Sequence, residues 1–226
     1  MNLSEQVKVT PEVMRKWRSL FADARDFMRS RPRTGRTLIE ISAQHPLTTD
    51  NQPGHEFSVR LRRGFALHNE LQGQGFEVEI YVPGSRHHFE GHDDAVSLSS
   101  AGCGFLANLG VPLTSLHGDD LNERYKGDAG VYGSADECFV AARYFADEGF
   151  DKLYSVLSPS QMMRKTLHYI AFGVVPLNIT APVDDPYHDY LDELFEAIPT
   201  VLAIDNTLQE TESSEAHRLR RERKPR

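Results

Sequence analysis

The chain has little cysteine: Cys103 and Cys138 are the only two in 226 residues. Two are too few for a disulfide framework, so stability must come from a hydrophobic core, and each reads as a buried, reduced thiol. Long apolar runs are missing as well. The longest, such as Leu153 to Leu157 and Ala171 to Leu177, are strand-like and far short of the ~18 residues that span a bilayer. Met1 to Thr10 is polar and has no apolar segment of the signal-peptide kind. These absences predict a soluble, cytoplasmic protein with no membrane partner. Basic charge is in deficit, with 25 Lys and Arg against 33 Asp and Glu. A formal net charge of -8 opposes nucleic-acid binding through the surface at large. Familiar fingerprints are also absent: no G-x-G-x-x-G after the first strand, no G-x-x-x-x-G-K-[ST], no G-x-S-x-G and no C-x-x-C.

What is present is a steady alternation of strand-like and helix-like segments. Pro11 to Arg31 repeats apolar residues at helical spacing, with Thr10 and Pro11 as cap and first turn. Strand-like runs follow at 36–42, 76–82, 111–116, 152–157 and 174–179. Helical patterns lie between them at 55–74, 94–109, 134–148 and 160–172, and a last helix is expected at 189–197. Such alternation predicts an α/β fold: a doubly wound, mostly parallel sheet with an extra N-terminal helix. Its length suits one domain over residues 1–206. The remainder, 207–226, ends in HRLRRERKPR and reads as a basic, disordered tail, the one place where nucleic acid or an acidic partner would find positive charge.

Ligands of open α/β sheets bind outside the carboxyl ends of the strands, so residues there are the candidates. Gln44 follows the first strand. Gly84, Ser85 and Arg86 follow the second, leading into His87, His88, Glu90, His92, Asp93 and Asp94. Small residues let a ligand approach the backbone, and Arg86 suits a phosphate or carboxylate. The histidines and Asp94 are possible metal ligands, but no spacing defines a metal geometry and none is assigned. Arg60 and Arg63 share a face of the second helix, either solvated or turned to an anion. The segment 119–133 reads as a long loop carrying Glu123, with Glu123 and Asp136 as the candidate catalytic acids or bases. Ser134 and Glu137 fit a capping box at the next helix, and a ligand contact is the alternative. Ser158, Gln161 and Arg164 follow the fourth strand and open another helix. Gly102-Cys103-Gly104 lies within a helix and reads as a close-packing spot.

In order and spacing these segments resemble the SanA/YdcF/ElyC-like proteins. The likeness runs from about Leu38 to Ile179. Gly110-Val111-Pro112 precedes the third strand, Glu123 takes the place of the loop acid, and Gly133-Ser134-Ala135-Asp136-Glu137-Cys138 opens a helix. Ser158-Pro159-Ser160-Gln161-Met162-Met163-Arg164 fits the last turn, with Gln161 where the family has His. Pro83-Gly84-Ser85-Arg86 replaces a Ser-Gly-Gly turn, and Ser42-Ala43-Gln44 replaces glycines after the first strand. The resemblance implies a Rossmann-like fold and a nucleotide-like ligand, S-adenosylmethionine being the suggestion for soluble members.

The sequence therefore leads to a protein that binds a small anionic or nucleotide-like ligand, S-adenosylmethionine or a phosphorylated compound, with transferase or hydrolase chemistry as one outcome. The alternative is a noncatalytic regulatory or assembly protein. It would hold a partner through the basic tail and an N-terminal stripe of Trp17, Phe21 and Phe27. Substrate and oligomeric state are not encoded in any motif.

Overall fold

The computed structural model describes residues 10–44, 47–86, 88–89, 92–93, 95–181 and 198–203. Five parallel strands form the central sheet: β1 (Arg36–Ile41), β2 (Glu77–Tyr81), β5 (Leu116–His117), β6 (Lys152–Leu157) and β7 (Leu177–Thr180). Their order is β5-β2-β1-β6-β7, and every neighbouring pair is parallel. β3 (His88–Phe89) and β4 (His92–Asp93) form a separate antiparallel hairpin. The chain starts in the middle, winds outward through β2 to β5, and returns to continue through β6 to β7. This is the doubly wound, Rossmann-like α/β fold, and its switch point lies between β1 and β6.

The helices are α1 (Pro11–Ser30), α2 (His55–Gly73), α3 (Leu98–Asn108), α4 (Asp119–Lys126), α5 (Ser134–Asp147), α6 (Met162–Ala171) and α7 (Ile198–Ala203). β1 is covered on both faces, and all of its residues but Arg36 are buried, Thr37 and Glu40 included. Its side chains alternate between faces. Ile39 and Ile41 join a core with Phe57 and Leu61 of α2 and Leu98 and Leu106 of α3. Leu38 points to the other core, with Val140 and Phe145 of α5 and Tyr169 of α6. By the same period, Glu40 shares the face of Leu38, toward α5 and α6. Gly102 keeps α3 close to the sheet, since a Cβ there would sit 2.7 Å from Val82 Cγ1 and 2.9 Å from Phe57 Cζ. The close-packing expectation holds for that glycine.

α1 begins as expected, with the Thr10 hydroxyl accepting from the Val13 amide. Its Trp17 is buried in a small cluster with Ile170 and Val201, and its indole N–H donates to the Leu202 carbonyl at 2.9 Å. Only Phe21 of the proposed stripe is well exposed, at 43%. Trp17 thus packs internally rather than forming an interaction stripe. No helix among the described residues is long and apolar enough to cross a membrane.

Three local expectations fail. The run at 111–116 is not a full strand: 113–115 make a 3-10 turn, and only Leu116 and His117 pair with β2. Pro112 cannot donate to a ladder, and Leu113 is 75% exposed, so neither sequence nor burial sustains a longer edge strand. Residues 119–126, expected as loop, are α4. Asp119 and Asp120 in its first turn and Arg124 and Lys126 in its last complement the helix dipole, and Leu121 is buried beneath it. The last strand begins at Leu177, later than 174. The expected helix at 189–197 and the basic tail lie outside the described residues, as do His87, Glu90 and Asp94.

Candidate functional site

A charged residue in the middle of a strand covered on both faces must find partners. Glu40 is fully buried, and α6 supplies its counter-ion. Lys165 and Tyr169, four residues apart, share the helix face that meets the sheet. Lys165 Nζ donates to Glu40 Oε1 at 2.7 Å, to Ser42 Oγ at 2.5 Å and to Glu137 Oε2 at 2.7 Å. Those three acceptors match the three donors of an ammonium. The second Glu40 oxygen accepts from Ser155 Oγ at 2.6 Å and from the Tyr169 hydroxyl at 3.1 Å. Ser155 is the register partner of Glu40 across β1 and β6. Burial opposes the Lys165 charge, but Glu137 and Glu40 outweigh it and hold the ammonium above the ordinary lysine range. Burial, assisted by Glu40 and opposed by Lys165, raises the Glu137 carboxyl above its usual value. Two carboxylates thus share one ammonium, and the nearby charge of Glu40 adds to burial in opposing the ionisation of Glu137.

A second buried cation stands beside this group. Arg60 is 1% exposed. Its guanidinium donates to the Ser42 and Ala43 carbonyls at 3.2 Å, to Ser158 Oγ at 2.6 and 3.1 Å, and to Gln44 Oε1. One side chain therefore ties the segment after β1 to the segment after β6, across the switch point. Arg60 is no member of a solvated face, whereas Arg62 and Arg63 are exposed.

A cavity of about 280 Å³ opens over this floor. Gln44 borders it from β1, Gly84 from β2, Ser134 and Glu137 from the start of α5, and Gln161 from the turn before α6. Gly84 adopts φ +109°, and an added Cβ would lie 2.9 Å from Leu98 Cβ, so the turn admits only glycine. Glu137 Oε2 is held by Lys165, and Oε1 takes no hydrogen bond among the described residues. Gln161 Oε1 is buried with no partner there. Neither the start of α5 nor the turn at Pro159–Gln161 has a side-chain cap, and Gly133, Ser134 and Gln161 at these two starts line the cavity. The arrangement can accept an anion at the helix starts, hydrogen-bond polar groups through two amides, and move a proton at Glu137.

A larger cavity, about 560 Å³, lies alongside, at the ends of β2 and β5. Ser85, Arg86, Glu123 and Tyr132 are among its walls, and Tyr132 borders both cavities. Ten of the twelve sequence candidates thus fall into three groups, and Asp136 and Arg164 stand outside them. Gln44, Gly84, Ser134, Glu137 and Gln161 meet at the inner cavity, and Ser85, Arg86 and Glu123 at the outer one. Arg60 and Ser158 form the buried brace behind the inner cavity. Asp136 is 1% exposed, ion-paired to Lys126 at 2.8 Å, and accepts from the Tyr132 amide at 3.2 Å. It braces that loop and borders neither cavity. Arg164 is half-buried in the first turn of α6, where its charge adds to burial in lowering the pKa of His168 to about 3, and it also borders neither. The capping box does not form: Gly133 is the N-cap, and Glu137 turns inward to Lys165. Sequence reasoning missed Glu40, Ser155, Lys165 and Tyr169. The available signal was the lone acid inside RTLIEIS and a lysine set four residues before a tyrosine in α6.

Away from both cavities a second polar cluster spans β2, β5 and α5. Burial alone would raise the Glu79 carboxyl, but hydrogen bonds from His117, Tyr144 and Arg36 hold it at about 2. His117 lies between Asp120 (3.1 Å) and Glu79 (2.9 Å), whose hydrogen bonds raise its pKa to about 9. The described residues contain no group of three or more potential metal ligands.

Set against family models, curated proteins and solved structures, the chain matches none of them.

Proposed function

We propose that this protein binds a small anionic or nucleotide-like ligand in the inner cavity at the switch point. The observation that carries this reading is the convergence there of Gln44, Gly84, Ser134, Glu137 and Gln161 from separate strand ends, over a buried Lys165. Doubly wound sheets hold ligands at this place because adjacent loops diverge there and helix starts point inward. The likeness to SanA/YdcF/ElyC-like proteins favours the same ligand class, with S-adenosylmethionine or a phosphorylated compound as candidates. Glu137 is the group placed for proton transfer in a transferase or hydrolase: its carboxyl faces the cavity and burial favours its protonated form. Asp136, tied to Lys126, supports the loop instead.

The test is a thermal-shift series with S-adenosylmethionine, nucleoside phosphates and sugar nucleotides. A ligand at 100 times its Kd stabilises the native state by about 2.7 kcal/mol. At least one compound is expected to raise Tm, and Gln161→Ala and Glu137→Gln to reduce that rise. No shift with any compound, or a shift indifferent to both variants, refutes the reading.

A further inference from the structure

We propose that the inner and outer cavities are one bipartite site divided by Tyr132, the inner part taking the anionic end of the ligand and the outer part a hydroxyl-bearing sugar. The proposal rests on the reading of the inner cavity given above and specifies the ligand for it. Both cavities lie at the carboxyl edge of the same sheet, one over β1 and β6 and the other over β2 and β5. Their boundary is a single seam: Gly84 faces the inner cavity and Ser85 the outer one, while Tyr132 borders both.

The seam is built to hold its shape. The Ser85 amide donates to the Val131 carbonyl at 2.8 Å, and the Val131 amide donates back to Ser85 Oγ at 2.7 Å. The Tyr132 amide is held by Asp136, which Lys126 holds in turn. Gly130, at φ +68°, backs the tyrosine ring so closely that a Cβ would fall 2.6 Å from Cε2. A wall held at this many points is preorganised, so a ligand loses little in ordering it. An aromatic residue at this seam suits the apolar face of a sugar.

Chemistry separates the two halves. In the inner one, the buried cations Lys165 and Arg60 stand against the acids Glu40 and Glu137, and the other polar groups of the lining are amides and hydroxyls. In the outer one, Asp119 is taken up by Ser97, Ser100 and Asn122, and the exposed carboxylates of Glu123 and Asp128 are the acceptors for hydroxyl donors, beside Arg86. Carboxylates at strand ends serve sugar hydroxyls in this way in doubly wound folds. Size agrees. Small-molecule sites occupy roughly 300–1,000 Å³. The inner cavity, about 280 Å³, falls at the lower limit, and the outer, about 560 Å³, brings the whole inside the range.

The experiment is isothermal calorimetry of the full chain with inorganic phosphate and with ribose 5-phosphate. Three proteins are compared: the unaltered chain, Glu123→Gln/Asp128→Asn, and Gln161→Ala. Glu123 and Asp128 are exposed, so their isosteric replacement leaves the fold intact, and an unchanged urea midpoint verifies this. Ribose 5-phosphate should bind at least about tenfold more tightly than phosphate, a gain of about 1.4 kcal/mol. The outer double variant should erase that gain and leave phosphate affinity unchanged, while Gln161→Ala weakens both. Equal affinity for the two probes, or a gain that survives the outer variant, overturns the bipartite site alone. Failure of both probes to bind overturns it together with the inner-cavity reading.

Discussion

Two polar clusters flank this sheet, and they solve the same problem differently. The one at the switch point is sealed: Lys165 and Glu40 are fully buried, and only Glu137 reaches a cavity. The one at the edge is half open. Its His117 side chain is 20% exposed, Asp120 is 58% exposed, and Arg36, His117 and Tyr144 all surround Glu79. In the edge cluster no buried side-chain atom lacks a partner among the described residues, and none of its groups lines either of the two cavities. At the switch point, one oxygen of Glu137 and the amide oxygen of Gln161 have no hydrogen-bond partner among the described residues. Polar networks that serve only stability close on themselves, and a network that leaves an acceptor open beside a cavity is available for chemistry.

The largest expected effect tests the sealed cluster. Lys165→Met leaves two buried carboxylates without their cation and should cost about 3–5 kcal/mol in urea unfolding. Adding Glu40→Gln and Glu137→Gln should recover much of that loss. A Lys165→Met protein as stable as the unaltered one would break the contrast between the clusters.

The edge cluster should instead reveal itself through pH. The folded pKa of His117, about 9, lies above its ordinary 6.5. Its contribution is complete below pH 6.5 and fades as pH rises through 9. Glu79, held at about 2 against its ordinary 4.5, contributes above pH 4.5 and loses that contribution as pH falls toward 2. Stability should therefore be flat between these limits. Partial exposure screens the cluster, so the fall above pH 7 should be on the order of 1 kcal/mol. His117→Asn should abolish the alkaline part, and an unchanged alkaline slope in that variant would count against the assignment.

Tyr144→Phe removes one hydrogen bond to Glu79, 2.5 Å long, and should cost about 1 kcal/mol by the same unfolding measurement. Glu137→Gln should matter least to stability, changing it by under about 1 kcal/mol, because the amide oxygen still accepts from Lys165. It should nevertheless reduce the thermal shift produced by a bound ligand. A large stability loss with intact ligand binding would reverse the roles given to the two clusters.

Much of this architecture was legible before any coordinates. Alternating apolar runs and turn glycines located α1, α2, α5, β1, β2 and β6 within a residue or two, because those signals are local. α4 was missed because the charges of DDLNERYK resemble a loop, and its helix rests on Leu121 reaching a core that lies elsewhere in the chain. β5 was overestimated because pairing, unlike periodicity, needs a neighbour. Strand-end placement drew attention to Gln44, Gly84, Glu137 and Gln161. It could not separate Glu137, which faces the cavity, from Asp136, which turns to Lys126 one helix position away.

By itself the sequence determined the doubly wound class and pointed to the carboxyl edge of the sheet as the place to look for a site. Repeated short-range patterns and strand direction decide both. Only the tertiary structure decided that Glu40 and Lys165, 125 residues apart, neutralise one another, that Arg60 is a buried brace, and that Tyr132 divides two cavities. The reason is physical: burial makes a charge seek whatever partner the fold brings within about 3 Å, and no periodicity in the chain encodes that distance.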